Sequence, residues 1–286
     1  MTKSISSAAM LVNLRISVWT ARKKDKETEA HIVRDAGARS DRALSAHKNL
    51  LADAAPLVAI NKFASDCRQW FYFNTLAWDD DGRRLLPTAT FFTVKQEAAD
   101  RDRHFWQLVH TFEQEYPALI SAAALQLGSL FKRSEYPDHR TIVDKFSFNL
   151  TFSPVPEAGD FRVDVPADAL KELRSSYESE ANARVESAMK DAWDRLHTTI
   201  VHMQEKLTPS EDGKTKRIHE TMLTNAGELC AVLSALNITG DPKLEEARRK
   251  LEAIVERTDT VSLREVPDMR ESVKKQLAEI SDKFDF

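Results

Sequence analysis

The stretch WDDDGRRLLP, residues 78–87, gathers three consecutive carboxylates, a glycine and two guanidinium groups. Such a mixture can hold a divalent cation or clamp a phosphate. A helix-loop-helix calcium site needs ligands at alternate positions, a central glycine and a distal glutamate. Here the alternate position after Asp81 is Arg83, and the window closes on Thr90 without a glutamate. Neighbouring carboxylates in a turn also point in different directions. The expectation is therefore a charged corner, with Gly82 supplying positive φ, the aspartates in water, and Trp78, Leu85 and Leu86 anchoring the ends. Arg83 and Arg84 remain candidates for contact with a partner protein.

A second cluster is ARKKDKE, residues 21–27, beside Trp19. Cations that meet phosphates and an indole that stacks on a base would make a nucleic-acid contact through Arg22, Lys23 and Lys24. Asp25, Glu27 and Glu29 interleave with the basic residues, the pattern of a solvated helix face. The aromatic run WFYF at 70–73 reads as core rather than as a ligand box, and the closing KFDF as a frayed last turn.

Other chemistry is missing from the motifs. There is no phosphate-binding Gly-x-x-x-x-Gly-Lys-Ser/Thr loop, no Gly-x-Gly-x-x-Gly, no Gly-x-Ser-x-Gly elbow and no His-Glu-x-x-His pair; HETML at 219–223 has only the first half. His197 and His202 lie five apart, about 140° around a helix, so they do not share a face for one metal. The expectation is no catalytic residue, no metal and no cofactor.

The elements that would carry these residues are mostly helices. Seven glycines in 286 residues argue against a glycine-rich nucleotide fold or a turn-rich all-β protein, and Ala, Leu, Glu, Lys and Arg favour helix. The charge is graded: +4 over residues 1–60, −1 over 61–156 and −7 over 157–286, giving −4 in all. No part is basic enough to demand nucleic acid. Cys67 and Cys230 sit far apart inside apolar helical patterns, which suits buried thiols in a reducing cytosol. The N-terminus lacks an apolar run suited to a signal peptide, and no stretch approaches the ~20 apolar residues of a membrane span. The expected location is the cytoplasm.

Residues 11–19 alternate as a half-buried strand, with Val12, Leu14, Ile16 and Val18 on one side. A charged helix follows, ending near Gly37, and Ser40 is suited to cap another. From Pro56, Leu57, Ile60, Ala64, Cys67, Phe71 and Asn74 recur at steps of three and four. TATFFTVK suits either a strand or a helix entry. Phe105, Leu108, Val109 and Phe112 form a helical stripe that Pro117 should break or kink, after which LISAAALQLGSLF resumes as a helix. FSFNLTFS and DFRVDV read as a hairpin, near 146–153 and 160–165, joining strand 11–19 in a three-stranded sheet.

From Pro166 onward, apolar or small residues fall at 170, 173, 177, 181, 185, 188, 192, 196, 200, 203 and 207. The spacing averages about 3.7 and predicts a nearly straight seam on a helix roughly 60 Å long. TPSEDGKTK turns the chain, and Ile218, Met222, Ala226, Leu229, Leu233 and Leu236 carry an antiparallel return. Two further helices follow, with Leu244, Ala247, Leu251 and Ile254 inward in one, and Val266, Met269, Val273, Leu277 and Ile280 in the other.

Taken in order, VWTARKK, WDDDGRRLLP, EYPALISAAALQLGSLF, SEYPD, FSFNLTFSPVPEAGDFRVDVP, a long helix and ALNITGDPKL resemble a family of bacteriophage, prophage and bacterial mobile-element proteins of unknown function, over roughly residues 10–245. The resemblance implies an accessory or adaptor role beside AAA+ ATPases of the MoxR or cobaltochelatase-subunit type. It implies no functional residues. The combined expectation is an α+β, predominantly α-helical chain. Residues 1–165 form a core domain with a small antiparallel sheet, and 166–286 form a long projecting antiparallel helical hairpin with two C-terminal helices. Its function is expected to be non-enzymatic, through self-association or binding of another protein such as an AAA+ ATPase. The alternative is nucleic-acid binding through the basic N-terminal segment, and no membrane is involved.

Overall fold

The computed structural model describes residues 5–40, 43–52, 54–157, 166–209 and 216–284. Its fold is α+β and mostly helical. A short helix α1 (Ile5–Ala8) leads into β1 (Ala9–Ser17), then β2 (Arg22–Lys24), α2 (Lys26–Asp35) and β3 (His47–Asn49). Helix α3 (Ala55–Phe73), strands β4 (Leu76–Ala77) and β5 (Arg84–Pro87), helix α4 (Phe91–Leu127) and β6 (Ser147–Ser153) follow. The rest is helical: α5 (Ala167–Leu207), α6 (Thr221–Leu236), α7 (Pro242–Glu256), α8 (Thr260–Glu265) and α9 (Pro267–Lys283).

The chain forms two compact units, each discontinuous in sequence. One comprises residues 1–13, 70–95 and 151–286; the other comprises 14–69 and 96–150. This differs from the expected division at 165/166. The reason is that β1, α3, α4 and β6 each contribute to both units, at 13/14, 69/70, 95/96 and 150/151. Linear patterning cannot show such returns.

The four-stranded sheet has the order β4-β5-β1-β6, and β1 and β6 are the strands the alternation predicted. The partner expected at 160–165 lies outside the described residues. Strands β4 and β5 were not legible, because two and four residues are too few to show alternation. They close a hairpin in which Leu76 faces Leu85 and Ala77 faces Arg84, while Leu11 faces Leu85 on the other side.

The first unit has an aliphatic core. The seam of α5 is buried at Ala188, Ala192, Leu196, Ile200, Met203 and Leu207, against α9, α6, α7 and β4. Every inward residue assigned to the helical returns at 218–236 and 244–254 is buried, as are Val273, Leu277 and Ile280. The return arm α6 has only 16 residues, and the two further helices α7 and α9 pack on α5 beside it. Val266, expected inside, is 45% exposed because it caps α9 rather than lying within it. Phe284, expected to fray, is buried with its ring 5.8 Å from Trp193.

The second unit has an aromatic core, in which Phe105, Phe112, Tyr116, Tyr136, Phe146 and Phe148 gather around Ile60, Ala64 and Cys67. TATFFTVK proves to be a helix entry, a 3-10 turn at Thr88–Thr90 running into α4. Pro117 does not break that helix. Proline has no N–H to give the carbonyl of Glu113, but His139 Nε2 lies 3.0 Å from that oxygen and replaces the lost bond. Tyr116 donates to Pro137 O at 3.2 Å, and burial pushes its pKa up to about 12. The two Tyr-Pro motifs thus dock against each other. The helix expected after Ser40 does not form among the described residues, which carry β3 and a turn instead. Tyr72, in the run read as core, is 52% exposed.

Candidate functional site

The basic segment is a strand and a helix start, not one charged helix. β2 pairs antiparallel with β3, setting Arg22 opposite Asn49, Lys23 opposite Lys48 and Lys24 opposite His47. The chain reaches this ribbon through Ala21, which is fully buried at φ +50°, a left-handed conformation that costs a non-glycine residue about 1 kcal/mol. After the ribbon, Asp25 caps α2. Its carboxylate accepts from Thr28 N at 3.2 Å and from Thr28 Oγ1 at 3.0 Å, and the bond from the Thr28 amide lowers its pKa.

Arg22, Lys23 and Lys24 are all exposed. Lys48 is buried, with Nζ 2.7 Å from a Glu135 carboxylate oxygen and donating to Leu130 O at 2.8 Å. Lys24 pairs with Glu29 at 3.2 Å, and Lys132 with Glu27 at 2.7 Å. The Glu27 hydrogen bond raises the Lys132 pKa. A cleft of about 580 Å³ opens between Lys23, Lys24, Lys26 and Lys132, with Asp25, Glu27 and Glu135 on its walls. A second cleft, of about 500 Å³, shares Lys24 and Lys26 and extends past Glu29 to Arg34. Sequence reasoning missed Lys26, Arg34 and Lys132. The first two were read as part of a charged helix face, and Lys132 lies too far along the chain to leave a local signal.

Trp19 is half-buried rather than a free indole. Its ring stands edge-on to Tyr116 at 5.8 Å and 6.3 Å from Phe112, packed against the aromatic core.

The corner at residues 78–87 belongs to the other unit and is a hairpin turn. Gly82 takes φ +81°, and the Asp79 carboxylate accepts from Arg83 N at 3.1 Å and Arg83 Nε at 2.6 Å. Asp80 and Asp81 are exposed, and Trp78, Leu85 and Leu86 are buried, as the corner requires. Asp79, expected in water with its neighbours, is instead turned inward with an 8% exposed side chain because it holds Arg83. Arg83 is 41% exposed and clamped to Asp79. Arg84 is turned inward with a 15% exposed side chain. Its Nε donates to Thr75 Oγ1 at 2.7 Å and its Nη2 to Thr75 O at 3.0 Å, while Arg195 donates to Phe73 O and Thr75 O. The Thr75 hydroxyl donates in turn to Phe71 O at 2.6 Å. The two guanidinium groups thus satisfy carbonyls at and beyond the C-terminus of α3, with Asp191 between them. Burial lowers the Arg84 pKa, and Arg195 adds to that. Arg84 is a structural strut; of the two arginines named for partner contact, Arg83 is the one at the surface.

Among the described residues no group of three or more His, Cys, Asp or Glu is placed to hold a metal ion, and no helix is long and apolar enough to cross a membrane. Both cysteines are buried free thiols; burial raises their pKa values, that of Cys230 to about 12.

One apolar surface stands out. Between residues 167 and 187, α5 has no buried side chain, although Leu170, Leu173, Tyr177, Ala181 and Val185 continue the seam that is buried from Ala188 onward. Leu173 is 41% exposed. Tyr177 donates to Pro156 O at 2.6 Å, and the Arg184 guanidinium lies 5.6 Å over the Trp78 ring. Neither a family model nor a curated protein nor a solved structure matches the chain.

Proposed function

We propose that this protein is a non-enzymatic assembly protein whose partner packs on the first half of α5. The observation that supports this reading is the seam itself. Leu170, Leu173 and Tyr177 sit at the same helical spacing as Leu196, Ile200 and Met203, yet only the latter are fully buried; Leu173 is exposed and Leu170 and Tyr177 are half-buried. A helix of 41 residues, roughly 60 Å long, outruns α6 and α9, which at 16 and 17 residues span only about 25 Å each. Apolar spacing on an uncovered helix face is the pattern by which helices dock in trans.

Self-association is the first partner to test, because a second copy carries the same spacing. The resemblance to phage and mobile-element proteins adds an AAA+ ATPase of the MoxR or cobaltochelatase-subunit type as the second. Size-exclusion chromatography with light scattering, run over a concentration series, measures the first; co-purification with such an ATPase measures the second. The double substitution Leu170→Glu, Leu173→Glu should abolish assembly while leaving the thermal midpoint unchanged, since neither side chain is buried. A chain that stays monomeric throughout and retains no partner overturns the reading.

A further inference from the structure

The groove at the β2–α2 junction carries an inference that does not depend on α5. Four carboxylates line its two clefts, and each is already engaged. Asp25 caps α2, Glu27 holds Lys132, Glu29 holds Lys24, and Glu135 holds the buried Lys48. Lys23, Lys26 and Arg34 line the same clefts and have no carboxylate within ion-pair distance among the described residues. What the groove offers to solution is therefore positive, although its walls read as mixed in the sequence.

We infer that this groove binds the phosphodiester backbone of a nucleic-acid strand, without reading its bases. Two observations select this ligand. The clefts of about 580 and 500 Å³ share Lys24 and Lys26, so the unpaired cations follow one another from Lys23 through Lys26 to Arg34. A polyanion can track such a line, whereas a single phosphate fills only one cleft. Trp19, the aromatic residue nearest the ribbon in sequence, is half-buried and engaged with Tyr116 and Phe112, so the groove offers a line of cations rather than a row of open aromatic faces for stacking bases. Lys132 sits over the groove on a surface ion pair with Glu27, a weak and salt-sensitive contact that a phosphate can replace.

The test uses the full chain and a fluorescein-labelled single-stranded oligonucleotide of about 20 nucleotides, followed by anisotropy in a salt series from about 50 to 200 mM. Binding should weaken with salt at a log–log slope near −2, as expected for about three phosphate contacts. Lys23→Gln with Lys26→Gln should weaken binding roughly tenfold and cut the slope by about 1.4. Lys62→Gln, an exposed cation on α3 in the same unit, should leave both unchanged. Glu27→Gln frees Lys132 and should tighten binding severalfold, an effect that a damaged fold cannot mimic. All the altered side chains are exposed, so circular dichroism should show an unchanged fold. No binding at about 50 mM salt overturns the inference, as does equal loss from the Lys62 and the Lys23/Lys26 variants. Displacement of the oligonucleotide by about 1 mM inorganic phosphate overturns it in favour of a single-phosphate site.

Discussion

The two halves of α5 carry one periodic seam and differ in what covers it. From Ala188 to Leu207 the seam is buried against α6, α7, α9 and β4; from Ala167 to Ser187 no side chain is buried. The covered half of the seam is Ala, Leu, Ile and Met, whereas the uncovered half includes Tyr177, whose hydroxyl needs a partner and finds Pro156 O. Apolar spacing marks where a helix is able to pack, and the length of its neighbours decides where it does. The same spacing therefore means core at one end of the helix and a half-exposed face at the other.

The comparison is broken most directly by truncating equivalent positions. Leu196→Ala removes a fully buried side chain and should cost about 3 kcal/mol, measured by urea denaturation. A loss below about 1 kcal/mol would mean that the second half of α5 is not the core of its unit.

The covering layer has its own weak point in Arg248, a buried guanidinium that pairs with Glu245 at 2.9 Å and Glu252 at 2.8 Å and donates to Cys230 O at 3.4 Å. Arg248→Ala leaves that carbonyl and two carboxylates without their partner and should cost about 2 kcal/mol, less than a fully buried pair because the carboxylates reach solvent. The same network makes stability depend on acid. The Arg248 hydrogen bond is the main cause of the Glu245 pKa falling from 4.5 to about 2. A depressed carboxylate stabilises the fold above its unfolded pKa, so this contribution is present above pH 4.5 and is lost as pH falls towards 2. Thermal midpoints recorded between pH 6 and 2 should show the loss, and Glu245→Gln should flatten it over that window.

The smallest effect belongs to the uncovered half. Leu173→Ala should change stability by no more than about 0.5 kcal/mol. A cost as large as that of Leu196→Ala would show that the first half of α5 is covered within the chain, and would remove the support for assembly there.

Much of the fold was legible because periodicity reports burial. The α3 stripe Leu57–Ile60–Ala64–Cys67–Phe71, the returns through Ile218 to Leu236 and Leu244 to Ile254, and the two strands β1 and β6 are where alternation and helical spacing placed them. The corner at Asp79–Gly82 was legible too, because turn chemistry is local. Other features depended on distant residues. Pro117 reads as a helix breaker until His139, 22 residues later, supplies the missing donor to Glu113 O. Trp19 reads as a free indole until Phe112 and Tyr116 pack against it. Arg84 reads as a surface cation until Thr75, Asp191 and Arg195 surround it.

Charge shows the same division. Grouped by the folded units, the unit of residues 14–69 and 96–150 has 17 basic and 15 acidic residues, +2, and the other has 24 and 30, −6. The end-to-end gradient of the sequence is thus a contrast between two units, and the positive one contains the groove.

By itself the sequence determined the long helices, the strands β1 and β6, the apolar face of each and the corner at Asp79–Gly82, because these follow from the spacing of side chains a few residues apart. The short strands β2 to β5 carry too few residues to leave such a pattern. The tertiary structure alone decided the two interleaved units, which half of the α5 seam is covered, and which cations remain without carboxylates. Those outcomes depend on residues tens to more than a hundred positions apart, and contact between them is made by chain return rather than by local periodicity.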